Sequence, residues 1–421
     1  MFQRAKVQGI GYIPILGISM LFMLARSVLQ AKTLGIEEFA NYSISILISS
    51  SFCVLGALGL QSIIQRELPV YLKHGRLYRS LKLIMLSVII TILLMCIFGF
   101  SAFVSYTAVA RDQEYSVEVF LYGLVHGGMQ QVFLILTVFS RSQLRMYRFS
   151  WEYLSRSLLV VFMGLLVSYF LNSGVLAILA EALATLVVSV FIACRVFGGY
   201  AAKVKKIFII SLLGFKKVPW SESLGLMVLM IVSFLSVNID RWSAFFLLQK
   251  KEVALYSFFL IIVAAAQSFQ SIVNSGVYPY LARSPEARVK NFSHILKLAL
   301  LVFFLGFLFY IPFEYLLNYI VFKFFYEYSE MLGLLPIIYL LALIKASDFW
   351  SSYLLVLKCE RYLTVVSASS ILLFLILNLA VSMVVGDVNK LYILSLSALI
   401  SALVAYIFLI GKSVLVRRMA E

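Results

Sequence analysis

Six charged residues interrupt stretches that are otherwise apolar: Arg26, Glu181, Asp240, Arg241, Lys345 and Asp348. Left exposed to lipid at mid-membrane, they would cost ~15–20 kcal/mol in total, at roughly 3 kcal/mol each. They must therefore meet one another, a wet cavity or the headgroups, and a charge retained at such a cost is a candidate functional group. Arg26 has no acid on its own predicted helix, so its forked donors suit an anion such as a phosphate. The alternative partner is Glu181. Asp240 and Arg241 are neighbours, about 100° apart around a helix, so they cannot pair with each other and must face different surroundings. Lys345 and Asp348 are three apart on one predicted helix and close enough to neutralise each other. His126, in a Leu-Val-His-Gly-Gly run, suits either a proton relay or a hydrogen-bonded packing role.

The surrounding chain explains why these charges stand out. Of 421 residues, 63% are hydrophobic and 13% charged, and the mean hydropathy is +1.01. A soluble domain is nearer half apolar and a quarter charged. Apolar runs of about 20 residues without alternation read as membrane-spanning helices, because hydrocarbon leaves no partner for unpaired backbone groups. Twelve spans are predicted, at 9–33, 40–64, 83–110, 117–140, 154–171, 174–194, 222–248, 253–280, 295–321, 331–352, 363–385 and 389–411. The first is expected to be retained rather than cleaved, since Arg26 interrupts it and no small-residue cleavage pattern precedes it. Pro14 is expected to kink it.

The net charge of +16 does not call for a nucleic acid. Lysine and arginine crowd one set of loops, 26 against 6 on the other face, and include Arg4 and Lys6 at the N-terminus. That bias places both termini in the cytoplasm. The other face is acidic, with Glu37, Glu38, Asp112, Glu114, Glu118, Glu252, Glu327, Glu330 and Asp387. The segment between spans six and seven, about 195–221, has an apolar middle, 204–215, flanked by lysines, as expected of a helix lying in the interface. The predicted division is 1–200, a linker at 201–221, and 222–421. Cys53, Cys96, Cys194 and Cys359 are scattered and read as packing residues. No Walker loop, nucleophile elbow or metal-ligand cluster is present, so neither an enzyme nor a cofactor or metal is expected.

The chain also echoes itself. Glu38-Phe39-Ala40-Asn41-Tyr42-Ser43 returns as Glu252-Val253-Ala254-Leu255-Tyr256-Ser257, at a spacing of 214. Leu144-Arg145-Met146-Tyr147-Arg148-Phe149 returns as Leu357-Lys358-Cys359-Glu360-Arg361-Tyr362 at 213. Two echoes at nearly one offset imply two similar halves, a construction common among membrane transporters.

Asp240-Arg241 followed by Glu252-Val253-Ala254-Leu255-Tyr256 resembles the span 7 to span 8 signature of bacterial polysaccharide flippases, including the O-antigen repeat-unit type. The first-half stretch Leu34-Gly35-Ile36-Glu37-Glu38-Phe39-Ala40-Asn41-Tyr42 resembles it too. These flippases belong to the multidrug, oligosaccharidyl-lipid and polysaccharide exporter superfamily. Phe39 and Val253 stand where many members have glycine. The resemblance implies an all-α protein of twelve transmembrane helices, in two six-helix bundles around a central cavity, in the bacterial inner membrane. It implies translocation of undecaprenyl-diphosphate-linked oligosaccharide by alternating access, with a polysaccharide polymerase and a chain-length regulator as candidate partners. On that footing Arg26, Arg241 and Lys345 are expected to bind substrate. Glu181, Asp240 and Asp348 are the candidates for proton or sodium coupling. A drug or cation antiporter of the same superfamily is the competing expectation. A polymerase or ligase would need a large outer loop, and the predicted outer loops are short.

Overall fold

The computed structural model describes residues 11–109, 115–283, 288–385 and 390–418. Arg4, Lys6, Asp112, Glu114 and Asp387 lie outside them. Among the described residues there is no strand, and twelve helical stretches are long and apolar enough to cross a membrane. The chain clusters into two units, Met1–Ile231 and Val232–Glu421, and the division falls within one helix.

The first unit contains α1 (Tyr12–Thr33), α2 (Ile36–Leu55), α3 (Leu60–Lys73), α4 (Leu77–Val109), α5 (Val117–Ser142), α6 (Met146–Leu171), α7 (Gly174–Phe197) and the short α8 (Val204–Leu213). It ends in the beginning of α9 (Trp220–Leu247). Its apolar core joins Ile64 of α3, Ile84 of α4, Phe133 and Leu136 of α5, Ile192 of α7 and Ile207 of α8, all buried. Pro14 falls in the first turn of α1, where a missing N–H interrupts no helical bond, so the expected kink does not arise there. α8 has the place and bounds expected of an interfacial helix. Its Ile207 and Ser211 turn inward, and the Ser211 hydroxyl donates to the Lys82 carbonyl at 3.2 Å. Phe208, Ile209, Leu212 and Leu213 remain exposed, which suits a surface meeting lipid rather than water.

The expected second span, 40–64, is not one helix. α2 stops at Leu55, and the chain turns through Leu58 and Gly59, at φ +47° and +77°. α3 then leaves in a new direction. Gly59 is required twice over, because a Cβ there would run into the Ser223 carbonyl oxygen of α9. The Ser223 hydroxyl donates to the Leu58 carbonyl at 2.6 Å. Arg66 of α3 grips the Glu222 carboxylate with both guanidinium prongs, the longer contact being 3.1 Å, and this raises the Arg66 pKa above its usual value. The start of α9 is thus bound to the turn between α2 and α3.

The second unit continues from α9 with α10 (Lys250–Arg283), α11 (Arg288–Phe324), α12 (Leu335–Ala346), α13 (Trp350–Val356), α14 (Glu360–Val385) and α15 (Lys390–Arg418). Phe258 stacks on Tyr328 with centroids 4.3 Å apart, and Phe292 meets Trp350 at 5.4 Å. α11 exposes Phe304, Phe307, Leu308 and Ile311, a stripe at helical spacing that would be costly in water and is at home in lipid. The tenth span, expected to run unbroken over 331–352, is built from a 3-10 turn (Tyr326–Leu334), then α12, a break at residues 347–349, and α13. The Ser347 hydroxyl folds back onto the Ile344 carbonyl at 3.0 Å. Asp348, one residue before the N-cap Phe349, accepts from the Ser351 N–H at 3.2 Å and the Ser351 hydroxyl at 2.8 Å, so it satisfies an N–H in the first turn of α13. Broken helices survive inside membranes where protein groups satisfy the freed backbone in this way.

Replacing Gly59 with alanine combines a left-handed backbone with a clash. It is expected to lower stability by about 1–3 kcal/mol in chemical denaturation of the detergent-purified protein. Gly225→Ala, at a helical site where the added Cβ has open space, is expected to be neutral or mildly stabilising.

Candidate functional site

In the first unit the charges converge on Glu181 of α7, which is 0% exposed. Arg26 of α1 donates to Glu181 Oε2 from Nη1 at 2.9 Å, and the Tyr42 hydroxyl of α2 donates to Oε1 at 2.9 Å. His126 of α5 brings Nε2 to 3.7 Å from Oε2, while its Nδ1 shares a 2.7 Å hydrogen bond with the Ser49 hydroxyl. The Arg26 guanidinium also lies over the Tyr42 ring, 5.9 Å from its centroid. Room for the carboxylate comes from Gly164 of α6, since a Cβ there would come within 2.6 Å of Glu181 Oε1. Four helices therefore supply one buried polar cluster, and its stability depends on every charge having a partner. Of the two destinations open to Arg26, the structure holds the bridge to Glu181, with Arg26 only 7% exposed.

Arg156 stands two residues inside the predicted span 154–171 and by sequence groups with the basic residues Arg141, Arg145 and Arg148 that precede it. α6 begins at Met146, so Arg156 stands ten residues into the helix, about 15 Å along its axis. It is buried, donates from Nε to the Thr185 hydroxyl at 3.3 Å and lies over the Phe133 ring at 5.1 Å. Its Nη2 has no partner. The available signal was the apolar spacing on both sides of the arginine, which a fixed window at 154–171 cut off. Glu152, one turn earlier, is buried too and pairs with Arg148 at 3.1 Å.

The second unit arranges its charges differently. Asp240, Arg241 and Lys345 line a single, partly open cleft. Ser236 and Val237 of α9, Gln267 of α10, Phe374 of α14 and Ser401 of α15 complete part of its wall. Asp240 is buried, and its Oδ2 accepts from the Tyr256 hydroxyl of α10 at 2.8 Å. Its Oδ1 has no partner. Neither Arg241 nor Lys345 forms a hydrogen bond or ion pair among the described residues. Lys345 and Asp348 form no direct ion pair, because the helix ends between them and both Asp348 oxygens accept from Ser351, yet Asp348 is near enough to act on the Lys345 ammonium electrostatically, as Asp240 does.

The repeat offset clarifies the comparison. α1 ends at Thr33 and α9 at Leu247, which is the 214-residue spacing of the sequence echo. At that offset Arg26 corresponds to Asp240 rather than to Arg241. Tyr42 corresponds to Tyr256, and both donate a hydroxyl to a buried carboxylate. In the first unit that carboxylate comes from the sixth span. In the second it comes from the first, and the last span, α15, contains no acid.

Removing one member of the Arg26–Glu181 pair strands the other charge in the core. Arg26→Leu or Glu181→Leu alone is expected to cost about 3–5 kcal/mol. The double leucine variant should recover most of that loss, measured by thermal unfolding and by yield in the membrane.

Comparisons place this geometry among known proteins. The family model described as polysaccharide biosynthesis protein matches residues 7–285. Among solved structures the chain resembles the lipid II flippase MurJ in an inward closed conformation, with a TM-score of 0.68 at 14% identity, covering 95% of this chain and 87% of that one. It resembles an inward-facing multidrug resistance MATE transporter of the MOP superfamily at 0.62 and 14%, covering 96% and 95%. A third likeness is to a MOP superfamily transporter from Pyrococcus furiosus, for which a binding pocket of reverse polarity is described, at 0.57 and 15%, covering 97% and 96%. At such identities these likenesses establish the fold alone. No curated protein matches the sequence. With two thirds of its length matched by the family model, this polytopic chain with the fold of MOP-superfamily transporters belongs to the polysaccharide biosynthesis protein family.

Proposed function

We propose that the protein is a flippase that carries undecaprenyl-diphosphate-linked oligosaccharides from the inner to the outer leaflet of the bacterial cytoplasmic membrane. The observation that carries this reading is the cleft of the second unit, where two basic side chains, Arg241 and Lys345, outnumber the one acid, Asp240, that lines it with them inside an apolar bundle. An excess of positive charge there is costly, and an anionic headgroup would repay the cost when it enters. The greasy tail would stay in lipid while sugar and phosphate follow the polar path. Membership of a polysaccharide biosynthesis family supports a glycan cargo over a drug.

In this reading the halves 1–200 and 222–421, joined by a cytoplasmic linker at 201–221, alternate access to the two leaflets, with both termini in the cytoplasm. Arg241 and Lys345 take the substrate anion. Arg26 joins them only if it is released from Glu181. Otherwise its part is to hold the polar core of the first unit. Of the three carboxylates considered for ion coupling, Glu181 and Asp348 already have partners on both oxygens, and Asp240 alone retains an open one. The polymerase and chain-length regulator that act on the exported repeat units are the partners this role calls for.

The test uses a deletion strain complemented with wild-type or variant chains. Arg241→Gln combined with Lys345→Gln is expected to reduce delivery of lipid-linked repeat units to the outer leaflet at least about tenfold. Repeat units should then accumulate on the cytoplasmic leaflet, with protein levels unchanged. Normal delivery in the deletion strain would refute the flippase reading, and drug sensitivity with intact glycan would identify a cation antiporter instead.

A further inference from the structure

The cleft of the second unit offers more than positive charge. Asp240 is 6% exposed, and the Tyr256 hydroxyl fixes its carboxylate by Oδ2. Oδ1 is left as a buried acceptor with no donor, in a cleft that Arg241 and Lys345 also line. A buried charged acceptor without a donor is expensive, so its retention points to a donor that arrives with the ligand. The two basic side chains outnumber the acid and suit an anion at the same time. A fully ionised anion such as sulfate, or a diphosphate diester, answers only half of this demand, because its oxygens only accept hydrogen bonds and would be repelled by Asp240. A sugar that carries the anion answers both, through a hydroxyl or acylamino N–H beside its phosphate or carboxylate.

We propose that this cleft is a saccharide-anion subsite, in which Arg241 and Lys345 take the anion and Asp240 Oδ1 accepts a hydrogen bond from the sugar that bears it. The subsite deepens the flippase reading and rests on it for its biological ligand. Asp240 is then a specificity-determining residue. It discriminates a glycosylated anion from a free one, and Tyr256 acts as a positioning residue by aiming the carboxylate. Such a site favours ligands by the donor they bring, since an analogue lacking it leaves the buried oxygen unpaired.

The full chain in lipid nanodiscs can be tested with three probes: sulfate, which brings no donor, N-acetylglucosamine 1-phosphate and methyl glucuronide, each titrated and followed by isothermal titration calorimetry. The wild type is expected to prefer the sugar phosphate over sulfate by at least about tenfold. Asp240→Asn should abolish that preference while leaving sulfate binding unchanged or tighter, because Tyr256 would then hold the amide oxygen and turn an NH₂ into the cleft. Arg241→Gln should weaken both probes. If the glucuronide binds with the same sensitivity to Asp240→Asn, the anion is a sugar carboxylate. If only the sugar phosphate does, the subsite reads the phosphate-linked end. Tyr256→Phe, which keeps the carboxylate, should retain the preference to within about threefold. The proposal is overturned if the wild type binds none of the probes, or if Asp240→Asn keeps the preference. It is equally overturned if Tyr256→Phe loses as much of the preference as Asp240→Asn, which would mean that the pair only shapes the cleft. Normal delivery of repeat units in the deletion strain, with the probe preference of the wild type intact, would refute the flippase reading and leave the subsite standing.

Discussion

Hydrocarbon supplies no hydrogen bonds, and that constraint governs how every charge in this protein is placed. A carboxylate or guanidinium inside a span must find its partners in the protein, or be held open for a ligand that brings them. Glu181 shows the first solution in full. Arg26 and Tyr42 occupy its two oxygens, His126 stands close by, and Gly164 makes way for it. Removing any donor would leave a charge or a polar atom unpaired in a region that cannot hydrate it, so α1, α2, α5 and α7, which supply the polar groups, are bound by electrostatics as much as by packing.

The second unit uses the same elements to the opposite effect. A tyrosine at the equivalent position again donates to a carboxylate, yet that carboxylate stands where the first unit has its arginine. At the 214-residue offset aspartate stands in place of arginine, and the closed ion pair of the first unit gives way in the second to a half-satisfied acid beside two basic side chains.

Much of this was legible in the residues. Twelve spans and the existence of the short helix α8 follow from hydropathy, because the cost of exposing backbone to lipid leaves few alternatives. The acid and base types of the site were also visible, as exceptions in apolar runs. Their pairing was not. Whether Arg26 meets Glu181 or faces a cavity depends on how α1, α2, α6 and α7 pack, and no local pattern encodes that. Arg156 was missed because basic residues near a span end look like loop residues until the helix start at Met146 is known. The breaks at Gly59 and at Ser347 were missed because hydropathy averages over a window and does not register a change of direction.

The break after Ala346 has an electrical side. It gives α12 a carbonyl-rich end in the middle of what would otherwise be one long span, and Lys345 sits in that last turn. Peptide dipoles aligned along α12 place roughly half a negative elementary charge at that end. The ammonium therefore has a diffuse counterweight supplied by the backbone itself, which helps it remain in a bilayer without a carboxylate bound to it. A straightened tenth span would bury those carbonyls in ordinary helical bonds and leave the cation with no such support.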